Sequence, residues 1–546
     1  MASPTTTLIK ENPYIIGRPI YEPELFFGRE DLFQFVADNL AKQAKVILLH
    51  GQRRIGKSSV LSQIPNFVRL PEFVFVSLSL EGQADKPLAE VLYVLASEIL
   101  AELDLPPDLV ELPDQDAFQR RYQVFAEVFL PQVYRALAGK KLVLLLDEFD
   151  VLHSNGLGTA VEQFFPYLHE VVDRQESLFI IPVVGRRLND LPNLLNLFRE
   201  APYQEVGLLK PEPTYRLITE PAKGILDYHA DALAAIVELT AGHPYFTQVL
   251  CFAIFTQARE RQAWQVHRAD VEAVIERAIE IGEGGLAWFR DGLPIPERVV
   301  LSAVAESQQQ RVAATQPAAD ILTLLQQHGV ELTETLYQAG LRLLEWHFIQ
   351  EPALPASEHP RHVYDVTIEL VRRWLVKRYP LRDEILELEK LDPEAQRLYE
   401  EARQRDQAGN LTAAIAAYEQ ALNHNPNHFS SLFDLAHAYW QTHRRDRARA
   451  LYQRLVLVDP IRVAMFAPPH PNSEPAAEPP PQVAALVPQH PAIQSLVQRI
   501  AEHQSKIAQE QHKPQPNWHL IEHWQMSIHA FEKSIQQLYQ RLESRR

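Results

Sequence analysis

Gly51, Gly56, Lys57, Ser58 and Ser59 follow the order G-x4-G-K-S-S, a spacing suited to holding phosphate. Glycines let backbone N–H groups close around phosphate oxygens, and a helix starting here adds the positive end of its dipole. The Lys57 ammonium can reach the outer phosphates, and the Ser58 hydroxyl can ligate a magnesium ion. Farther along, Asp147 and Glu148 end the run Lys141-Leu-Val-Leu-Leu-Leu. Adjacent carboxylates can divide the work: Asp147 holds the metal, directly or through water, and Glu148 orients or deprotonates an attacking water. Arg186 follows Gly185 at the end of another apolar run, where a cation can sense or stabilise phosphate charge. The chemistry expected is binding of ATP or ADP with Mg2+, and hydrolysis.

These groups need a scaffold that brings distant segments to one edge. Lys45–His50 reads as a buried strand leading into the glycine loop, and Ser58–Ile64 as the helix leaving it. The five apolar residues before Asp147 read as a central parallel strand covered on both faces. Phe73–Leu80, Leu178–Val184 and Tyr203–Leu209 are further strands, separated by helical patterns near 87–103, 118–137 and 159–173. Such alternation predicts an α/β domain of three layers, with ligands at the carboxyl ends of its strands. Asp150 is expected to cap the next segment rather than touch metal.

Four stretches now combine in order: Phe26-Phe-Gly28-Arg29-Glu30, the glycine loop, Leu-Leu-Leu-Asp147-Glu148-Phe-Asp150, and Thr240-Ala-Gly242-His243-Pro244-Tyr245-Phe. The combination resembles the AAA+-related STAND ATPases, in the archaeal-type branch found in prokaryotes, over residues 12–380. The resemblance implies that Gly28, Arg29 and Glu30 help close over the nucleotide. It also implies that Gly242 and Pro244 belong to a helical lid, with the proline against the adenine ring. Gly-His-Pro is independently a break between two helices.

Residues 291–380 have the order of a winged helix: helices at Pro296–Val304, Ala318–Gln327 and Thr333–Trp346, strands at Phe348–Glu351 and Arg361–Val366, then a closing helix Ile368–Arg378. Between 290 and 378 there are nine Arg or Lys and eleven Asp or Glu, so this module offers no net positive charge to DNA phosphates.

A period of 34 residues follows. Leu398, Ala402, Gly409, Ala414, Tyr418, Ala421 and Pro426 occupy tetratricopeptide positions, and Leu432, Leu435, Ala436, Tyr439, Ala448, Tyr452 and Pro460 repeat the pattern. Two copies are few for a free-standing solenoid, so Glu384–Leu391 or the C-terminal helices are expected to cap them. Prolines crowd residues 466–491, which read as an extended linker. Ala492–Gln509 and Trp518–Glu543 have helical spacing and form an expected antiparallel pair. His503, His512, His519, His523 and His529 lack a metal-ligand pattern.

The expected organisation is an N-terminal segment (1–24), a P-loop ATPase core (25–211), a helical lid (212–289), a winged helix (290–382), two tetratricopeptide-like repeats (383–461), a proline-rich linker (462–491) and a C-terminal helical pair (492–546). A formal net charge of −17 argues against a general nucleic-acid or membrane-surface coat. Cys251 stands alone, so no disulfide can form within the chain, which fits a reducing cytoplasm. The first residues lack a basic-then-apolar leader, and no apolar run approaches the ~20 residues of a membrane span.

The function expected is a regulatory ATP switch of the STAND type, reading its nucleotide state out through protein partners at the repeats and C-terminal helices. Homo-oligomerisation in the ATP state is compatible with it. The alternatives are a DNA-associated AAA+ ATPase using the winged helix, and a non-hydrolysing scaffold stabilised by nucleotide. No nuclease, protease or TIR-like constellation stands out.

Overall fold

The computed structural model describes residues 11–83, 85–149, 160–185, 200–312, 320–352, 362–460 and 462–463. Five parallel strands form its main sheet: β1 (Leu48–His50), β2 (Phe73–Ser79), β3 (Lys141–Asp147), β4 (Leu178–Val184) and β5 (Tyr203–Glu205). Their spatial order is β2-β3-β4-β1-β5. The strand bearing the acidic pair therefore does not adjoin the strand bearing the glycine loop; β4 lies between them.

The apolar runs alternate between two cores. Leu142, Leu144 and Leu146 of β3 enter one cluster with Leu178, Ile180 and Val184 of β4. Val143 and Leu145 enter the other with Phe179, Ile181 and Val183. With side chains alternating every residue, only a strand covered on both faces tolerates such unbroken apolar sequence. Pairing of β3 with β4 ends at Leu146 opposite Pro182, where the ring removes a ladder donor. The helix Leu88–Glu102 covers the first face, and the helices Glu30–Ala41 and Lys57–Phe67 the second.

Two expectations need correction. β5 stops at Glu205 rather than Leu209. Beyond it, Leu209 N–H donates to the Gly242 carbonyl at 3.0 Å, so the chain has already turned toward the next module. The single helix expected over 118–137 is three pieces: Gln115–Arg120, a π-helical turn Phe125–Phe129, and Leu130–Ala136. Arg121 is extended between them, and the break still leaves Phe118, Phe125 and Phe129 buried.

The helices Pro211–Thr219, Ala230–Thr240, Pro244–Arg261, Arg268–Ala273 and Ile275–Asp291 make up the region expected to be a lid. Next come the helices Ile295–Val312, Ile321–Gln327 and Glu334–Glu345, an antiparallel pair Ile349–Gln350 with Asp365–Val366, and the helix Glu369–Arg378. This is the element order read from the sequence, with a first helix that runs past Val304 to Val312. Two antiparallel helix pairs, Pro393–Gln407 with Leu411–His424 and Phe429–Gln441 with Arg445–Val458, form the repeats.

Packing does not separate these modules. Phe255 of the lid, Trp374 of the 290–382 module and Leu432 of the repeats belong to one hydrophobic cluster. Polar contacts also tie the repeats down: Asn427 accepts from Glu331 N–H at 2.8 Å and donates back to its carbonyl at 2.9 Å. Arg454 Nε donates to the Gly329 carbonyl at 2.7 Å. The expected cap exists at one end, where Asn425 Nδ2 donates to the Leu388 carbonyl at 2.8 Å and Glu389 accepts from Ser430. Asp150, Arg186, nearly all of the linker and the C-terminal helical pair lie outside the described residues. Among the described residues, no helix is long and apolar enough to cross a membrane.

Candidate functional site

The glycine loop joins β1 to the helix Lys57–Phe67 at the carboxyl edge of the sheet. Gly51 is required for space: a Cβ there would lie 2.5 Å from the Val206 carbonyl oxygen. Gly56 is required for conformation, since its φ of +94° is disfavoured for side-chain-bearing residues. Lys57 Nζ donates to the Gln52 carbonyl at 2.9 Å, folding the ammonium back over the loop.

A cavity of about 590 Å³ opens beside this loop. Arg29, Gly56, Lys57, Ser58, Ser59, Glu148 and Pro244 all line it. Residues from four separate segments thus line one cavity. Ile15, Phe26, Leu209 and Leu217 add apolar surface beside the polar Arg18, Arg54, Glu81 and Gln248, and the volume is in the range of small-molecule sites (~300–1,000 Å³). Cationic and hydroxyl groups together with apolar surface suit a nucleoside triphosphate.

Asp147 lies at the end of β3, and its Oδ1 accepts the Glu148 N–H at 3.0 Å. Glu148 has a positive φ of 52°, which turns its side chain out of the strand. It reaches the cavity wall, whereas Asp147 is not on it. Arg29 also has a positive φ, 76°. Its Nη2 donates to the Ile55 carbonyl at 3.3 Å, and burial pushes its pKa down to about 10. Gly28 is a packing residue: an added Cβ would be 2.8 Å from Pro213 Cβ. Gly51 lines a neighbouring cavity rather than this one.

Pro244 begins the helix Pro244–Arg261, with Gly242 at φ +74° before it. A Cβ on Gly242 would be 2.6 Å from the Leu209 carbonyl oxygen. Between them, His243 is fully buried, and neither ring nitrogen has a hydrogen-bond partner among the described residues. Burial, with Arg29 and Lys57 nearby, pushes its pKa down to about 3.

Several wall residues carried no signal that singled them out in the sequence. Residues 12–21 form a strap from lid to loop helix. Tyr14 OH donates to the Ile218 carbonyl at 2.5 Å, Ile15 N–H to Gln248 Oε1 at 3.2 Å, and Ile20 N–H to Ser59 Oγ at 2.9 Å. The Ser59 hydroxyl is therefore engaged by the strap, leaving its backbone for a ligand. Ile15, Gly17, Arg18, Pro19 and Ile20 line the cavity, and no motif marks them. Glu81, two residues past β2, adds a further carboxylate to the wall. Trp288 and Arg53 stack across the rim, with the guanidinium 4.6 Å from the ring centroid. Among the described residues, no cluster of three or more His, Cys, Asp or Glu could hold a metal alone. A magnesium ion here would rest on Ser58, Asp147 and the nucleotide's own oxygens.

Comparison with known proteins bears on fold and on the repeats. Residues 407–465 match the tetratricopeptide repeat family. No curated protein matches the chain significantly. Among solved structures, the Walker-type ATPase of Pyrococcus abyssi is similar with a TM-score of 0.47 and 18% identity, covering 66% of this chain and 98% of that one. The Aeropyrum pernix ORC2 protein scores 0.43 at 14% identity, over 68% of this chain and 95% of its own. The Thermotoga maritima RuvB Holliday junction branch migration motor scores 0.32 at 14% identity, over 65% and 97%. At these scores and identities the likenesses carry no functional argument. The parallel sheet, the glycine loop between β1 and its helix, and the acidic end of β3 make the core an α/β P-loop NTPase fold in their own right.

Proposed function

We propose that the chain is an ATP-binding and ATP-hydrolysing regulatory switch of the STAND type, reading its nucleotide state out through protein partners. The observation that carries this reading is the convergence of Lys57, Ser58, Glu148, Arg29 and Pro244 on one cavity. Lys57, with the loop N–H groups, holds the phosphates, and Arg29 braces the loop through the Ile55 carbonyl. Pro244 and the apolar walls take the base. Ser58 and, directly or through water, Asp147 would hold a magnesium ion, which would supply neutralisation of phosphate charge. Glu148 accepts a proton from the attacking water, its backbone held by Asp147.

Coupling has a physical route. Gln52, inside the loop, donates from Nε2 to the Trp346 carbonyl at 2.5 Å. Trp346 closes the helix Glu334–Glu345, and the repeats are bonded to the same module through Asn427 and Arg454. A nucleotide that reshapes the loop therefore acts on a module that carries the repeats with it. Such an effect requires unequal nucleotide contacts in the two states. The exposed face of that helix presents Tyr337 and Leu341, which favours protein over DNA as the partner. Assembly with further copies in the ATP state and a cytoplasmic location belong to the same reading.

Calorimetric titration and turnover measurements test it. Lys57→Ala should weaken ATP binding at least about tenfold by removing a charged phosphate contact. Glu148→Gln should keep ATP affinity within about threefold and slow hydrolysis about a hundredfold. ATP affinity unchanged in Lys57→Ala would sink the site assignment. Tight nucleotide binding with no turnover in the unsubstituted protein would leave the scaffold reading in its place.

A further inference from the structure

A second cavity, of about 480 Å³, opens between the phosphate-binding loop and the 290–382 module. It shares only Arg53 and Trp288 with the first. Two of its polar side chains carry buried acceptors that are unmet among the described residues. Glu297 is wholly buried; its Oε1 accepts from Arg342 Nε, while Oε2 has no hydrogen-bond partner among the described residues. Gln52 donates an amide N–H to the Trp346 carbonyl, and its Oε1 is likewise buried without a partner among the described residues. Buried acceptors left unmet are costly, the more so when charged.

Charge and shape narrow the ligand. Arg342 is paired with Glu297, Arg53 lies over Trp288, and Glu205 is 3.8 Å from His347 Nε2. His50 is the remaining titratable group on the wall among the described residues. Among the described residues the two guanidiniums and two carboxylates on the wall balance, so a cationic ligand would bring a charge with no free counter-ion among them. The walls are aromatic: Phe289 and Phe348 ring centroids are 4.3 Å apart, and Trp346 and Phe348 6.3 Å. Flat ligands stack well on such walls.

We propose that this cavity binds a neutral, planar, amino-substituted heteroaromatic molecule that donates hydrogen bonds to Glu297 Oε2 and Gln52 Oε1 while stacking among Trp346, Phe289 and Phe348. The ligand touches the loop and the 290–382 module together, so its occupancy strengthens the contact that Gln52 already makes between them. The assignment stands on the cavity and is independent of the chemistry proposed for the first site.

Guanosine is the probe, because it is uncharged and carries adjacent ring N–H and exocyclic amine donors. Titration calorimetry uses the full chain with excess ADP to fill the first site, and ADP binding is measured in its own titration. Failure of the nucleotide reading and failure of this proposal are then distinct results. Saturable guanosine binding is expected, with inosine, which lacks the amine, about tenfold weaker. Glu297→Gln should weaken guanosine about tenfold. Trp346→Leu, which spares the buried ion pair, should do the same by removing a stacking wall. Circular dichroism checks that each variant is folded, and the guanosine–inosine comparison needs no variant. Absence of saturable guanosine binding, equal affinity for inosine, or unchanged affinity in the folded variants would overturn the proposal. Tighter binding of the cation agmatine than of guanosine would overturn its charge argument.

Discussion

Acidification should loosen the lid through His243. Its ring is fully buried, has no hydrogen-bond partner among the described residues, and lies near the cations Arg29 and Lys57. The folded state therefore holds it neutral, with a pKa near 3 against 6.5 in an ordinary environment. An unfolded lid takes up a proton below pH 6.5 and a folded one does not, so stability rises with pH across the window from about 3 to 6.5. Each unit below 6.5 removes about 1.4 kcal/mol, or roughly 2 kcal/mol on going from about pH 7.5 to about pH 5. His243→Asn removes the titration and should flatten the dependence by that amount. Global melting would average this local effect over the modules that share a core. Hydrogen exchange of peptides from the helix Pro244–Arg261, corrected for the intrinsic pH dependence of exchange, reports the local opening free energy instead. Equal pH dependence in the variant and the unsubstituted protein would refute the reasoning, since the ring would then be charged or exposed.

Gly51→Ala should damage the loop even though it adds one methyl, because the new Cβ would meet the Val206 carbonyl at 2.5 Å; loss of ATP binding alongside a core destabilised by about 1–3 kcal/mol is expected from calorimetry and urea unfolding. Gly329→Ala places a Cβ 2.7 Å from Val458 at a φ of +77°, so limited proteolysis should detach the repeats from the 290–382 module sooner than in the unsubstituted protein. Glu384→Gln breaks a buried pair with Arg290, whose side chains are 2% and 11% exposed; a loss of about 3 kcal/mol in urea unfolding is expected, and a loss under about 0.5 kcal/mol would show the pair to be inert.

Much of the core was legible because its signals are local. An unbroken apolar run such as Leu142–Leu146 can be a strand only if both faces are covered, and the alternation of its residues between two clusters shows that cover. Glycines at 51 and 56 announced a loop whose backbone needs their freedom or their lack of a Cβ. The 34-residue period marked the repeats, since paired helices need small residues at fixed intervals. The region from 118 to 137 was misread because apolar spacing continues across Arg121 with no glycine or proline to mark the break.

From its residue types and spacing alone, the chain determines that a G-x4-G-K-S-S loop and an acidic pair exist, and that they flank buried strands. These are properties of segments a few residues long, set by backbone conformation and local chemistry. Only the tertiary structure decided that β4 separates β1 from β3, that Glu148 rather than Asp147 reaches the cavity, and that residues 12–21 close it. It likewise decided that Gln52 bonds to Trp346, 294 positions away, and that the repeats share a core with the lid. The physical reason is the same for all of these. Each depends on which distant surfaces exclude water from one another, and no short window of sequence contains both partners.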